Sequence, residues 1–188
     1  MIDNINEKLR SLLSYKRYIH CIGVQKTAIE LAKKNNVDIC SASVAGLIHD
    51  CAKGFNDNEL LSASDKYSIC LDPVSIRQPG LLHGPVGACI AKNEFLIDDE
   101  DIIHAIKYHT TGCENMSMLD KIIYIADYIE PGRDFIGVDS LRSITYKDIN
   151  QGVLMALDNT IKYVIKQGVL IDILTIKARN FMLLEGFI

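Results

Sequence analysis

Apolar residues recur at intervals of three and four along almost the whole chain, and strand-like alternation is scarce. That spacing predicts helices over roughly 2–14, 16–35, 38–52, 57–66, 84–96, 99–109, 117–130, 138–144, 147–167 and 175–186. Several predicted starts carry capping chemistry: Asn56 with Glu59, Ser117 with Asp120, and Thr145 with Asp148. Pro85 suits a first helical turn, and Pro131-Gly132 closes the helix that ends at Glu130. Segments 67–83, 110–116 and 131–138 break the pattern, and such loops are where ligand contacts concentrate. With no repeat, linker or shift in composition, residues 1–188 read as one all-α domain.

The same periodicity sorts the polar residues. On the second helix His20 shares a face with Val24, Thr27, Ala28 and Leu31. On the third, His49 lies over Ala42 and Ala45, and Asp50 over Gly46 and Leu47, where small residues leave room for another group. His109 follows Ile102, Ala105 and Ile106 on an apolar face, and Asp127 follows Ile123 and Tyr124. His104 sits among Glu100, Asp101, Lys107 and Tyr108 and should face water, and a capping role is enough for Asp120. His83 occupies a turn where periodicity is silent. Any one inward histidine is more often a hydrogen-bonded core residue than a ligand, and Asp127 alone would serve as an ion-pair partner of Arg17 or Lys53. Three inward helical histidines and two aspartates, with few inward cations to neutralise them, point instead to a divalent cation.

Composition narrows the class. At 48% hydrophobic and 23% charged, 188 residues are enough to bury a core. A formal charge of −4 argues against nucleic acid as the partner. The six cysteines are never closer than 11 residues, so there is no CxxC pair, and they read as reduced, mostly buried hydrophobes. The start MIDNINEKLRS lacks a signal pattern and no apolar run is long enough to span a bilayer. The expectation is a cytoplasmic protein with no membrane partner; a homodimer is compatible with it.

Imidazole and carboxylate ligands without thiolate suit iron, manganese, cobalt, nickel, zinc or magnesium and argue against a structural zinc knot. Six candidates (His20, His49, Asp50, His83, His109 and Asp127) exceed the needs of one catalytic ion. Two ions bridged by Asp50 would use them all, and such pairs generate hydroxide and clamp both oxygens of a phosphoryl displacement. Lys53, one turn past Asp50, and Arg133, just after Pro131-Gly132, are cations suited to phosphate. A solvated lysine at a helix end explains Lys53 equally well. P-loop, GxSxG and Cys/His nucleophile patterns are lacking.

The order His20, His49-Asp50, Asp127 resembles the signature of HD-domain metal-dependent phosphohydrolases. His83 and His109 resemble the additions of the two-metal members. RYIH, AGLIHDCAK, LLHGPVGA, AIKYHTTG, MSMLDKIIYIADYIEPGRDF and TIKARN are similar, over nearly the whole chain, to the YqeK family. That family comprises the symmetrical diadenosine tetraphosphate hydrolases, which release two ADP. The resemblance implies an HD-type helical bundle and hydrolysis by metal-bound hydroxide, with Asp50, Lys53 and Arg133 catalytic and no organic cofactor. It implies one metal, iron, on His20, His49, Asp50 and Asp127, and a second on His83 and His109 with Asp50 shared. Implied nucleotide contacts are His20, Asp50, Cys51, Ala52, Lys53, His83, His109, Thr110, Asp127 and Arg133. Leu170, Ile171, Asp172, Ile173, Leu174 and Thr175 would hold the base. Two departures touch the substrate side: Ile136 stands where that family often has proline, and proline is expected near Ile173. Rival readings are an HD phosphohydrolase for a nucleoside mono- or triphosphate or a cyclic nucleotide, and a nucleotide-sensing module without turnover.

Overall fold

A computed structural model describes residues 2–186. Its eleven α-helices are α1 (Ile2–Leu12), α2 (Tyr15–Lys34), α3 (Ile39–Ile48), α4 (Asp57–Lys66), α5 (Pro73–Arg77), α6 (His83–Glu94), α7 (Glu100–Tyr108), α8 (Met118–Ile129), α9 (Val138–Lys147), α10 (Ile149–Gln167) and α11 (Ile173–Leu184). A 3-10 turn, Pro79–Leu82, leads into α6. No strand occurs among the described residues, and no described helix is long and apolar enough to cross a membrane.

Short polar caps set most of the boundaries. Asn56 accepts from the backbone of Asn58 and Glu59 while Glu59 returns a bond to Asn56, and Ser117 and Asp120 do the same at the start of α8. The third expected pair differs: Thr145 lies inside α9, where its hydroxyl donates to Leu141 O, and Asp148 caps α10 by itself. Within 67–83, read as loop, a five-residue helix forms because Asp72 and Ser75 build a capping box ahead of Pro73. The helix α11 begins at Ile173, capped by Asp172. Proline would be tolerated at that first helical position, so isoleucine there leaves the backbone plan intact.

The centre of the bundle is α2, α3, α7 and α8. α2 packs on α3 and α8, and α7 on α3 and α8; α6 backs onto α7, and α10 onto α8. Leu31, Leu47, Ile48, Ile106, Ile122, Ile123 and Ile125 are fully enclosed there. Burying such side chains contributes about 1.5–3 kcal/mol each before the entropy of ordering is charged against it. Gly46 sets the α2–α3 approach, since a Cβ there would lie 3.1 Å from Gln25 Cα and 3.2 Å from Ala28 Cβ. α3 stops at Ile48 and α7 at Tyr108, so His49 and His109 stand one residue past the helix ends rather than inside them. Both keep right-handed helical dihedrals, which is why helical phase still places them inward.

Candidate metal centre

Three histidines are anchored by one recurring device. His49 Nδ1 donates to Gly46 O at 2.8 Å, His109 Nδ1 to Ile106 O at 2.7 Å and His83 Nδ1 to Gly80 O at 2.5 Å. Each sits at the C-cap of a helix or turn and answers a carbonyl that the helix leaves unpaired. His20, in the middle of α2, uses the carboxylate of Glu130 instead, at 3.1 Å. A carbonyl or carboxylate accepts only, so the proton sits on Nδ1 in all four rings and Nε2 is a bare lone pair. All four Nε2 atoms converge on Asp50. Its Oδ2 lies 3.7 Å from His20 Nε2 and 3.5 Å from His49 Nε2, and its Oδ1 lies 3.4 Å from His83 Nε2 and 3.5 Å from His109 Nε2. One carboxylate thus faces a different histidine pair with each oxygen. Asp127 closes the first side, with Oδ1 2.9 Å from His20 Nε2 and 3.8 Å from His49 Nε2.

These contacts put acceptor against acceptor. The Nε2 atoms of His20 and His49 are buried with no hydrogen-bond partner, and the short His20–Asp127 approach sets a lone pair against a carboxylate oxygen. His83 Nε2 and His109 Nε2 face one another at 3.1 Å. The Thr110 hydroxyl lies 2.9 and 3.0 Å from those two nitrogens and has one proton for both. Buried acceptors aimed at one another are costly, and a divalent cation between them removes the cost. The donor set fits such an ion. His20, His49 and Asp50 form one group of ligand atoms within reach of one another, and Asp50, His83 and His109 form another.

Cations are nearer than the sequence suggests. Arg17, one turn before His20, donates to Asp50 Oδ2 at 2.8 Å, and Arg133 Nη2 lies 2.5 Å from Asp127 Oδ1. Both carboxylates therefore have an arginine, and it is the orphaned imidazole nitrogens, not excess negative charge, that call for a metal ion. Burial opposes ionisation of Asp50 and Asp127, and the Arg17 guanidinium on the first and the Arg133 guanidinium on the second favour their charged forms. The His83 imidazole is pushed down to about 3 by burial, His109 and Lys53, so it is neutral and ready to ligate. Burial also lowers the Lys53 ammonium, against the pull of Asp50.

The six expected ligands are thus gathered at one point. Lys53 Nζ stands 3.3 Å from His83 Nε2, and Arg133 stands against Asp127. Arg142 of α9 secures the Arg133 turn by donating to the carbonyls of Ile129, Glu130 and Arg133. Cys51 and Ala52 turn into the core, with the Cys51 thiol on Gly87 O, so only their backbone can face a ligand. Leu170, Ile171, Asp172 and Thr175 line a cavity of about 430 Å³ with Lys53 and His83. Ile173 is exposed outside it, and Leu174 lines a neighbouring hollow with Leu81 and Cys70. His104 is half exposed, as expected, but its ring also donates to Asp120 Oδ1 at 2.8 Å. Sequence reasoning missed Glu130, whose signal was its place three residues after Asp127 on the same helical face. Gly23 opposite makes room for it, because a Cβ there would lie 2.5 Å from Glu130 Oε2.

An all-helical bundle gathering bare imidazole nitrogens around a shared aspartate defines a protein with a divalent-metal His/Asp centre. The HD domain family profile matches residues 17–132, and the chain belongs to the HD domain family. A protein of Halalkalibacterium halodurans named symmetrical bis(5'-nucleosyl)-tetraphosphatase is 40% identical over 173 residues, covering 92% of each chain. One of the same name from Bacillus subtilis is 40% identical over 162 residues, 85% of this chain and 86% of its own. A crystal structure from Clostridium acetobutylicum, described as a predicted HD superfamily hydrolase involved in NAD metabolism, is 46% identical. It superposes with a TM-score of 0.97 over 99% of this chain and 98% of that one.

Proposed function

We propose that this protein hydrolyses diadenosine tetraphosphate symmetrically, with water adding to one central phosphorus and the bridging oxygen leaving on the other ADP. The observation that carries the reading is Asp50, whose two oxygens face two separate histidine pairs. His20, His49, Asp50 and Asp127 would hold one ion, and Asp50, His83 and His109 a second; iron fits the nitrogen and oxygen donors, as do manganese, cobalt, nickel and zinc. When bound, such a pair supplies Lewis acidity toward phosphoryl oxygens and a water nucleophile at neutral pH.

The chain's own residues do the rest. Lys53 stands beside His83 and Arg133 beside Asp127, so a tetraphosphate lying across the centre would meet both cations. Arg17 favours the ionised form of Asp50, and the hydroxyl of Thr110 lies between His83 and His109 where it can donate to a phosphoryl oxygen. Leu170, Ile171, Asp172 and Thr175 supply an apolar hollow for one base, entered past Lys53. The relatives named symmetrical bis(5'-nucleosyl)-tetraphosphatase match along nearly the full chain, which supports this substrate over a mononucleotide.

Product analysis tests the reading. The manganese-loaded protein should convert diadenosine tetraphosphate to ADP alone, and Asp50→Ala should lose at least about 10³-fold in rate, in line with removal of a group that stabilises developing charge. Formation of ATP with AMP, or a fully active Asp50→Ala, would contradict it.

A further inference from the structure

A symmetrical dinucleotide has two nucleosides, and the 170–175 hollow accounts for one. Next to it, across a shared ridge, lies a second cavity, of about 620 Å³, walled by Tyr124, Tyr128, Arg133, Phe135, Asn159 and Tyr163. Both volumes fall in the roughly 300–1,000 Å³ range of small-ligand sites. The two cavities share Thr110, Thr160 and Tyr163 as a common ridge, and each includes residues of the centre. Each begins at one histidine and one cation: His83 with Lys53 in the first, His109 with Arg133 in the second. The second also contains Asp127, so its inner end reaches the other histidine–carboxylate group.

Its outer wall has the makings of a base platform. Phe135 and Tyr128 meet edge to face, with ring centroids 5.4 Å apart, and Phe135, Ile136 and Tyr163 remain exposed, Ile136 completely. Exposed apolar and aromatic groups gathered at one cleft mark a ligand surface. Asn159, half-buried in the wall, offers both a donor and an acceptor, which suits the edge of a base. The inner end carries Arg133 paired with Asp127 and the outer end is aromatic, an order that suits phosphate, sugar, base.

Resting on the function proposed above, we propose that the cleft between α8, the 131–137 turn and α10 binds the second nucleoside of the substrate, with Tyr128 and Phe135 as its stacking platform. The tetraphosphate then spans from Lys53 to Arg133 with its middle bond over Asp50. Two nucleoside sites that meet at the centre would put the middle phosphoanhydride at Asp50, so cleavage at the midpoint is the expected outcome.

The test compares diadenosine tetraphosphate with adenosine 5'-tetraphosphate, which keeps the phosphates and drops one nucleoside. Base–aromatic stacking is worth about 1–3 kcal/mol per base on alanine substitution, which is about 5- to 150-fold. Phe135→Ala and Tyr128→Ala should reduce the preference for the dinucleotide over adenosine tetraphosphate, measured as the ratio of kcat/KM values, by that factor. The loss should lie mainly in KM, and Phe135→Tyr should restore the ratio. An unchanged ratio, whether both substrates keep their rates or both fall together, overturns the proposal while wild-type cleavage to ADP leaves the functional reading standing. A wild-type protein that releases no ADP from the dinucleotide overturns both.

Discussion

Glu130 shows how a residue remote from the substrate decides what another can do. By taking the Nδ1 proton of His20 it leaves Nε2 bare, and its second oxygen accepts the backbone N–H of Gly132 at 2.6 Å, so it cannot swing away. Outer-sphere partners of this kind typically change metal affinity or activity by about 10- to 100-fold. Glu130→Gln should weaken metal binding and turnover by that amount; equal affinity in a metal titration would remove Glu130 from the centre. Cysteine gives a second residue-scale prediction. The thiols of Cys51 and Cys113 are pushed up to about 12, chiefly by burial, and Cys21 is raised by the same cause. Since the thiolate is the reactive form, these three should resist modification. Cys40 and Cys70 are exposed, so a native thiol titration should show two fast groups, and rapid labelling of Cys51 would contradict the packing of the His49-Asp50 turn.

At the scale of elements, the joint of α6 and α7 matters most because it sets His83 beside His109. Gly84, next to His83, lies so close to α7 that a Cβ would sit 2.7 Å from Lys107 O. Backbone cannot yield as a side-chain tip can, so Gly84→Ala should destabilise by about 1–3 kcal/mol, the usual cost of overpacking. Urea unfolding measures it, and a stability equal to wild type would show that the two helices have slack. The long helices were legible in the sequence because their apolar stripes are the interfaces themselves, as with Val24, Ala28 and Leu31 on α2. The phase of His49 and His109 was legible although each stands past its helix, since both residues keep helical dihedrals. The turn at 67–83 was not, because α5 has only five residues and too few positions to show a period. Thr145 was misread because its hydroxyl finds a carbonyl one turn back, inside a helix longer than its apolar stripe. Arg17 and Arg133 were underestimated as partners of the aspartates because long side chains reach inward from half-exposed positions that periodicity assigns to the rim.

For the whole molecule, the centre joins what the chain separates. Its candidate ligands come from α2, from just past the ends of α3 and α7, from the first residue of α6 and from α8, at positions 20, 49–50, 83, 109 and 127. No two adjacent helices carry the complete set, so the site exists only in the assembled bundle. The divided carboxylate of Asp50 is its hub: each oxygen faces its own histidine pair. The most direct measurement is the metal content and magnetic state of the manganese-loaded protein. Two manganese ions per chain with an exchange-coupled resonance, reduced to an uncoupled signal in Asp50→Ala, is the predicted result. A single uncoupled ion per chain in the wild-type protein would contradict it.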